Sequence, residues 1–321
     1  MKNRDNLLNR NRKNAIIIAL AVLAVSLAAG NAWTVFYYVP KRAEIAGEKI
    51  NGKYNLLNPA RKFVKQDDLI INFQPLRDEL NAKHEKDPNI SIYFEYQPTG
   101  SNISINKDAE FYPASLLKVP VAIAVAKKIE KGEWKWPNEL VLMSTDKDDK
   151  FGTLYKEPTN STHTIENLVR RSLSDSDNSA HFMLVRNLDI EEMKDVYDHM
   201  GLPGFLETEG SLSAKRYSVI FRTLYASSYL AEENSQKLLS YLSDSPFDNY
   251  IQSGLPQDIA FSHKIGVDTE KKVYLDSGII YAKNRPYLLT VMTKNKDEQT
   301  AKEIMKDISK QAYDYVNNYV E

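Results

Sequence analysis

Alternating apolar and polar positions predict β-strands near both ends of the globular part of the chain. Residues 90–96 alternate, a turn follows at 97–100, and residues 101–106 alternate again, which predicts a β-hairpin. Strand patterns return at 273–282 and 287–293. These patterns predict an antiparallel sheet built from both ends of the chain.

The middle of the chain shows helical spacing instead. Residues 114–242 read mainly as helix, and Ser213 is a candidate N-cap for one of these helices. Residues 301–316 repeat the three-and-four spacing and predict a C-terminal amphipathic helix. The expected fold class is therefore α+β, an α/β sandwich in which helices flank the sheet, an all-helical lobe is inserted, and a cleft forms between the lobes.

One segment is apolar throughout. Residues 15–39 hold no charged side chain, and about 20 such residues are enough to cross a bilayer as a helix. We predict a cytoplasmic basic N-terminus at 1–14, a transmembrane helix at 15–39, a linker at 40–66 and an extracytoplasmic domain at 67–321, so that the protein lies in the cell membrane with a single span. A cleavable signal peptide is the alternative for this start.

Composition narrows the chemistry that the domain can perform. The 321 residues include no Cys, and the five His show no metal-binding spacing, so we expect neither a metal site nor a cofactor. A net charge of −1 provides no electrostatic basis for nucleic-acid binding. Catalysis would have to come from Ser, Lys, Asp, Glu and Asn side chains. The oligomeric state stays open.

The first candidate motif is Ser-x-x-Lys at Ser115 and Lys118, where an apolar helix begins. Positions three apart share a helix face, so the amine can lie beside the hydroxyl and remove its proton. The same motif also starts at Ser104, in a strand pattern, and at Ser144, in a charged loop. Only Ser115 opens a helix that looks buried, although a helix-capping serine is the alternative for it.

Two tripeptides follow in the chain. Ser-Asp-Asn at 176–178 lies between two predicted helices, where an ordinary N-cap cluster is the alternative reading. Lys-Ile-Gly at 264–266 enters a predicted strand, where a solvated edge lysine is the alternative. In this order the three motifs resemble the penicillin-recognising serine enzymes, most closely the class A β-lactamases, whose signatures are Ser-x-x-Lys, Ser-Asp-Asn and Lys-Thr-Gly. The residues around the first two motifs are similar to family segments as well, and the resemblance covers 67–321.

The resemblance implies roles for the catalytic residues. Ser115 would be acylated by a β-lactam or by the D-alanyl-like carbonyl of a peptidoglycan stem peptide. Lys118 would be the adjacent base, and Ser176 would relay a proton to the leaving nitrogen. No metal or cofactor takes part in this acyl transfer.

The resemblance also implies a substrate-binding set, Asn178, Lys264, Gly266 and Val267. Asn178 would bind the substrate's side-chain amide, and Lys264 would attract its carboxylate. The oxyanion hole would consist of the backbone N–H groups of Ser115 and Val267.

Two features depart from the family pattern. Ile265 replaces a hydroxyl residue that helps to hold the substrate carboxylate, and a hydrogen bond to a charged group contributes about 1.5–3 kcal/mol. Ser262 and Ser277 are candidates to compensate. The glutamate that activates the deacylating water also lacks a clear counterpart, since Glu207 and Glu209 are the only acids in the short stretch before Ser213. Solvated loop carboxylates are the alternative for both.

Three hypotheses follow from the sequence. The first is a membrane-anchored serine hydrolase of the class A β-lactamase type. The second is a penicillin-binding D,D-peptidase or transpeptidase relative that turns β-lactams over slowly. The third is a non-catalytic sensor domain.

Overall fold

The computed structural model describes residues 54–58, 71–203, 205 and 210–319, and these residues belong to one compact unit. The predicted basic N-terminus and transmembrane helix lie outside the described residues. Within the described ranges, no helix is long and apolar enough to cross a membrane.

The core of the fold is a five-stranded antiparallel sheet of β1 (Ile90–Tyr96), β2 (Ser101–Ile105), β5 (Phe261–Asp268), β6 (Val273–Ile280) and β7 (Tyr287–Lys294). The strand order is β2-β1-β7-β6-β5, and β3 and β4 form a separate small sheet described below. The predicted hairpin and both C-terminal strand patterns are confirmed, and the first and last strands of the chain pair directly in the middle of the sheet. Strand β5 forms one edge of the sheet, and its partner among the described strands is β6.

Helices cover both faces of this sheet. The described helices of eight residues or more are α1 (Gln74–His84), α2 (Lys118–Glu130), α3 (Ile165–Leu173), α4 (Asn178–Arg186), α5 (Ile190–His199), α6 (Ala214–Ala226), α7 (Glu232–Ser243) and α8 (Glu298–Asn318). Ser213 caps α6 as predicted, because its side chain accepts a hydrogen bond from the N–H of Arg216. The predicted C-terminal helix is confirmed as α8.

Two apolar cores lie on opposite faces of the sheet, as the alternation of side chains along a strand requires. One core contains α1, α8 and strand residues such as Ile265 and Tyr274. The other packs the helical lobe, including α2, against Leu275 and Ile279 of β6. The sheet therefore presents one face to the helical lobe, and the edge strand β5 borders that lobe.

Two features were not expected from the sequence. A two-stranded sheet of β3 (Glu139–Val141) and β4 (Thr162–Thr164) interrupts the helical lobe. Residues 54–58, within the predicted linker, pack on the domain: Leu56 and Leu57 are buried, and the N–H of Leu56 donates to Gln236 Oε1 over 2.9 Å. Part of the predicted linker is therefore packed against the folded domain.

Candidate active site

Ser115 lies in a tight turn at the start of α2. Ala114–Leu117 form a 3-10 turn that continues directly into α2 at Lys118, rather than a regular first helical turn. Residues three apart eclipse each other in 3-10 geometry, which brings Lys118 Nζ to 2.8 Å from Ser115 Oγ. Ala114 has φ = 46°, a left-handed conformation that costs a non-glycine residue about 1–3 kcal/mol. Such local strain is often found at functional sites.

The amine of Lys118 is surrounded by polar atoms. Its side chain is buried, and Nζ also contacts Ser176 O at 2.8 Å, Ser176 Oγ at 3.3 Å and Asn178 Oδ1 at 2.5 Å. Burial lowers the pKa of Lys118 to about 7, against an opposing influence from the nearby Asp177 and Asp148 carboxylates. A large fraction of this amine is therefore neutral near neutral pH and can accept a proton.

The Ser-Asp-Asn tripeptide forms the junction between α3 and α4. Ser176 adopts φ = 56°, and Asp177 caps α4 by accepting the N–H of Ala180 at 3.0 Å. Asp177 Oδ2 also accepts the N–H groups of Thr153 and Leu154, each at 2.8 Å. The capping interpretation is therefore confirmed for Asp177, and the same turn places Ser176 and Asn178 beside Lys118. The catalytic and binding roles of these two residues stay predictions.

Gly152 lets the 148–154 loop approach this turn. A Cβ on Gly152 would lie 2.2 Å from the Asp177 carboxylate, and its φ of 87° is left-handed as well. The loop also reaches the site through Asp148, whose Oδ1 accepts from Asn178 Nδ2 at 2.8 Å. Asn178 therefore links Lys118 on one side to Asp148 on the other, so its amide orientation is set by both.

Strand β5 forms the opposite wall. A Cβ on Gly266 would lie 2.8 Å from the carbonyl oxygen of Pro113, so glycine allows the strand to approach the Ser115 turn closely. Val267 lines the cleft while its side chain packs against the core on the other face of the sheet. The backbone of Val267 therefore borders the cleft, and its role as an oxyanion-hole donor stays a prediction.

Lys264 is not a solvated edge residue. It is 1 % exposed, and within the described chain its Nζ has no hydrogen-bond partner, although the nitrogen lies 5.7 Å from the centre of the Phe247 ring. Burial, with a smaller contribution from the charge of Lys118, holds the pKa of Lys264 well below its usual range. An anion placed beside it would favour its charged form.

The two walls enclose a cleft of about 620 Å³ that contains Ser115, Lys118 and Asn178. The cleft also has a rim that sequence reasoning missed. The rim residues belong to no sequence motif, and they come close to Ser115 through the folding of the chain. They are Tyr112, Asp148, Lys150, Phe151, His181, Phe182 and the β5–β6 turn at 268–270.

The Ile265 departure has a structural explanation. Ile265 is buried in the core on the far face of the sheet, so its side chain does not line the cleft. Neither proposed substitute is available, because both hydroxyls are buried and engaged. Ser262 Oγ donates to Leu239 O at 2.8 Å, and Ser277 Oγ lies 2.6 Å from Thr290 Oγ1.

The deacylation candidates Glu207 and Glu209 lie outside the described residues, so their role stays a prediction. In the described part of the chain, no carboxylate hydrogen-bonds to Ser115 or Lys118. The two carboxylates that influence the pKa of Lys118, Asp148 and Asp177, accept hydrogen bonds from Asn178 and from backbone N–H groups. The described site thus contains the groups for attack on a carbonyl, and the carboxylates that line its cleft, Asp148, Asp268 and Glu270, form no hydrogen bond with Ser115 or Lys118.

A sheet flanked by helices on both faces, with a serine and a buried lysine at the border of its helical lobe, defines a β-lactamase-like serine hydrolase fold. Comparison with known proteins agrees: residues 75–316 match the model of the beta-lactamase enzyme family. The chain belongs to this family.

Individual relatives are distant. The beta-lactamase VEB-1 of Pseudomonas aeruginosa is 29% identical over 100 residues, which are 30% of this chain and 33% of that enzyme, so the match spans about a third of the relative. A beta-lactamase from Sphaerobacter thermophilus has a similar structure, with a TM-score of 0.69 and 22% identity, over 78% of this chain and 100% of that one.

PBP-A is similar to the same degree, with a TM-score of 0.69 and 19% identity, over 77% of this chain and 97% of PBP-A. A mutant of PBP-A has been solved as an acyl-enzyme complex with penicillin-G. At these identities the likeness concerns the fold.

Proposed function

We propose that the protein is a serine hydrolase of the β-lactamase type that forms an acyl-enzyme at Ser115 with a β-lactam or a D-alanyl-like amide. The observation that supports this most is the buried Lys118 amine, 2.8 Å from Ser115 Oγ and with its pKa lowered to about 7. A lysine in this state is a base, because its neutral form is well populated.

Acylation would proceed by three proton transfers. Neutral Lys118 takes the proton of Ser115 as Oγ attacks the substrate carbonyl, and the C–O bond forms while the carbonyl oxygen becomes an oxyanion beside the N–H groups of Ser115 and Val267. The C–N bond then breaks, and the leaving nitrogen receives the hydroxyl proton of Ser176. Lys118 returns a proton to Ser176 Oγ, from which its Nζ is 3.3 Å distant.

Substrate charge fits the other buried lysine. The Lys264 amine is buried without a hydrogen-bond partner in the described chain and is not part of the lining of the cleft, and a carboxylate brought beside it would favour its charged form. This preference favours anionic substrates, as the resemblance to penicillin-recognising enzymes implies.

A second candidate function is a penicillin-binding D,D-peptidase or transpeptidase relative that deacylates slowly. It is favoured by the absence, among the described residues, of a carboxylate bonded to Ser115 or Lys118. The two candidates differ in the fate of the acyl-enzyme. Glu207→Gln and Glu209→Gln are tested singly. If the protein is a β-lactamase, one of the two changes abolishes deacylation and leaves acylation intact. If it is the second candidate, neither change alters a deacylation rate that is already slow.

The location of the enzyme is part of the proposal. The uncharged run at 15–39 supports a single membrane anchor with the catalytic domain outside the cytoplasm. Fractionation of cells that produce the full chain, followed by intact-mass measurement, tests it. A membrane-bound chain of full mass supports the anchor, and a released chain lacking the first 30 or so residues supports the signal peptide instead.

The nucleophile is tested by labelling with a fluorescent penicillin. Ser115→Ala should abolish labelling and retain the native circular dichroism spectrum, since only a small hydroxyl is lost. Ser144→Ala, the matched control in the exposed Ser-x-x-Lys copy, should label like the wild type. Labelling that survives Ser115→Ala contradicts the proposal, and a well-folded wild type that never labels supports the sensor hypothesis.

A further inference from the structure

The turn that carries Ser115 contains a backbone carbonyl group that its own helix cannot satisfy. In a regular helix the carbonyl oxygen of Leu116 would accept a hydrogen bond from the N–H four residues later, at position 120. Residue 120 is a proline, Pro120, which has no N–H to donate. The N–H of Lys118 is directed at the carbonyl oxygens of both Ser115 and Leu116. The Leu116 carbonyl, which lies between the nucleophile and its base in the chain, therefore depends on a donor from outside its helix.

Tyr217 of α6 supplies that donor. Its hydroxyl donates to the carbonyl oxygen of Leu116 over 2.9 Å, although the two residues are 101 positions apart. Both residues are buried, so an unpaired carbonyl here would carry the full cost of its removal from water. Burial also raises the pKa of Tyr217 well above its usual value of 10. The hydroxyl therefore keeps its proton throughout the range in which Lys118 changes charge.

The segment that leads into α6 also holds the chain on the other side of Ser115. Phe111 and Leu212 form an isolated β-bridge, with N–H to oxygen bonds of 2.9 and 3.0 Å. Residues 111–116 are thus tied to residues 212–217 at both ends, and the left-handed Ala114 lies between the two ties. Backbone strain of this kind persists where the surrounding contacts determine the conformation. The two ties to the start of α6 are contacts of that kind.

We propose that Tyr217 is a positioning residue, whose hydroxyl replaces the missing N–H of Pro120 and so keeps Ser115 and Lys118 aligned for acylation. This inference rests on the proposed function and adds to it a residue that belongs to none of the three motifs. Tyr217 is not part of the described lining of the cleft, so it acts through the turn and not through contact with the substrate.

The effect of the hydroxyl is expected in the geometry of the proton transfer. A rotation of the Leu116 peptide group changes the separation of Ser115 Oγ from Lys118 Nζ, which is 2.8 Å in the structure. A base removes a proton only within hydrogen-bond reach of it. Loss of the Tyr217 hydroxyl should therefore slow the acylation step and leave substrate binding intact.

The test measures acylation by benzylpenicillin over a range of concentrations, in the full chain in detergent at pH 8. This range separates the acylation rate at saturation from the half-saturating concentration. Tyr217→Phe removes only the hydroxyl. Tyr225→Phe is the matched control, because Tyr225 is a buried tyrosine about two turns farther along α6 whose described hydrogen bonds do not involve residues 114–117. Circular dichroism checks that each variant keeps the native fold.

We expect Tyr217→Phe to lower the saturated rate at least tenfold and to change the half-saturating concentration less than threefold. Tyr225→Phe should keep both quantities within twofold of the wild type. A fall of less than twofold in Tyr217→Phe, an equal fall in the control, or a change confined to the half-saturating concentration overturns the positioning role, while acylation itself upholds the proposed function.

Pro120→Ala provides a second measurement that does not depend on the stability of the Tyr217→Phe variant. Alanine restores an N–H at position 120, which can donate to the Leu116 oxygen in place of the tyrosine. In the Pro120→Ala background, Tyr217→Phe should therefore lower the saturated rate less than threefold. A tenfold loss that persists in this background overturns the inference. If neither the wild type nor Pro120→Ala is acylated although both are folded, the proposed function fails and the positioning role with it.

Discussion

The pH dependence of acylation follows directly from the state of Lys118. With a pKa of about 7 instead of the ordinary 10.5, about half of this amine is neutral at pH 7, compared with roughly one part in 3,000 for a solvated lysine. The site therefore provides about a thousandfold more of the base than an exposed lysine would.

The rate of acylation should rise about tenfold per pH unit below pH 6 and become constant above about pH 8, because only the neutral amine accepts the proton of Ser115. Stopped-flow measurement with a chromogenic cephalosporin between pH 5 and 9 gives this profile. A rate that does not change over this range, or a midpoint above pH 9, would refute the assignment of Lys118 as the base.

The midpoint should also respond to one nearby charge. The Asp148 carboxylate raises the pKa of Lys118, so Asp148→Asn should move the midpoint to lower pH. The asparagine can still accept the hydrogen bond from Asn178. Asp149→Asn is the control, because this neighbouring carboxylate is exposed and is not among the charges that shift the pKa of Lys118. Equal shifts in both variants would contradict the electrostatic explanation.

Three further changes test the architecture of the site. Gly266→Ala should slow labelling of Ser115 at least tenfold, because the new Cβ would lie 2.8 Å from the carbonyl oxygen of Pro113 and would push β5 away from the Ser115 turn. An unchanged rate of labelling would show that this close approach of β5 to the turn is not required. Asp177→Ala should lower the free energy of unfolding by about 2–4 kcal/mol in urea titrations, since three backbone N–H groups lose their acceptor; a loss below about 0.5 kcal/mol would contradict this. Lys118→Met should be inactive, but at pH 7 its free energy of unfolding should be higher than that of the wild type. The pKa of Lys118 is lower in the folded state than in the unfolded state, so protonation of this amine opposes folding. The stability gap to the wild type should narrow as pH rises from 7 towards 10.5, and a gap that widens would show that the amine is not destabilised by burial.

Sequence reasoning located the residues of the site because their chemistry is carried by short motifs in a recognisable order. Ser115, Lys118, Ser176 and Asn178 meet in the structure as the resemblance implied. The hairpin, the strands near the C-terminus and α8 were also predicted, because their apolar residues follow strand or helix spacing over many positions.

Other features depend on tertiary contacts that no local pattern contains. The left-handed φ of Ala114 is imposed by the turn that presents Ser115, since alanine has no intrinsic preference for that conformation. The direction of Ile265 depends on the register of β5 against β6, in which a shift of one residue exchanges the two faces. The position of Leu56 on the domain depends on hydrogen bonds with residues 180 and 225 positions away.

The apolar side chains beside the cleft on α4 and α5 could not be predicted as one surface for the same reason. Val185 and Met193 come from separate helices, and each reads as ordinary helix core when the sequence is considered alone. The buried state of Lys264 was likewise missed, because a lysine on an edge strand is usually solvated.

The central claim is that a neutral Lys118 activates Ser115 for attack on a β-lactam carbonyl. Its most direct test is a time course of peptide-mapped mass spectrometry after mixing with benzylpenicillin at pH 8, in the wild type and in Lys118→Met. The account predicts a penicilloyl adduct on Ser115 that forms in the wild type and is at least a thousandfold slower in the variant. An adduct on another residue, or one that forms equally fast without Lys118, would contradict it.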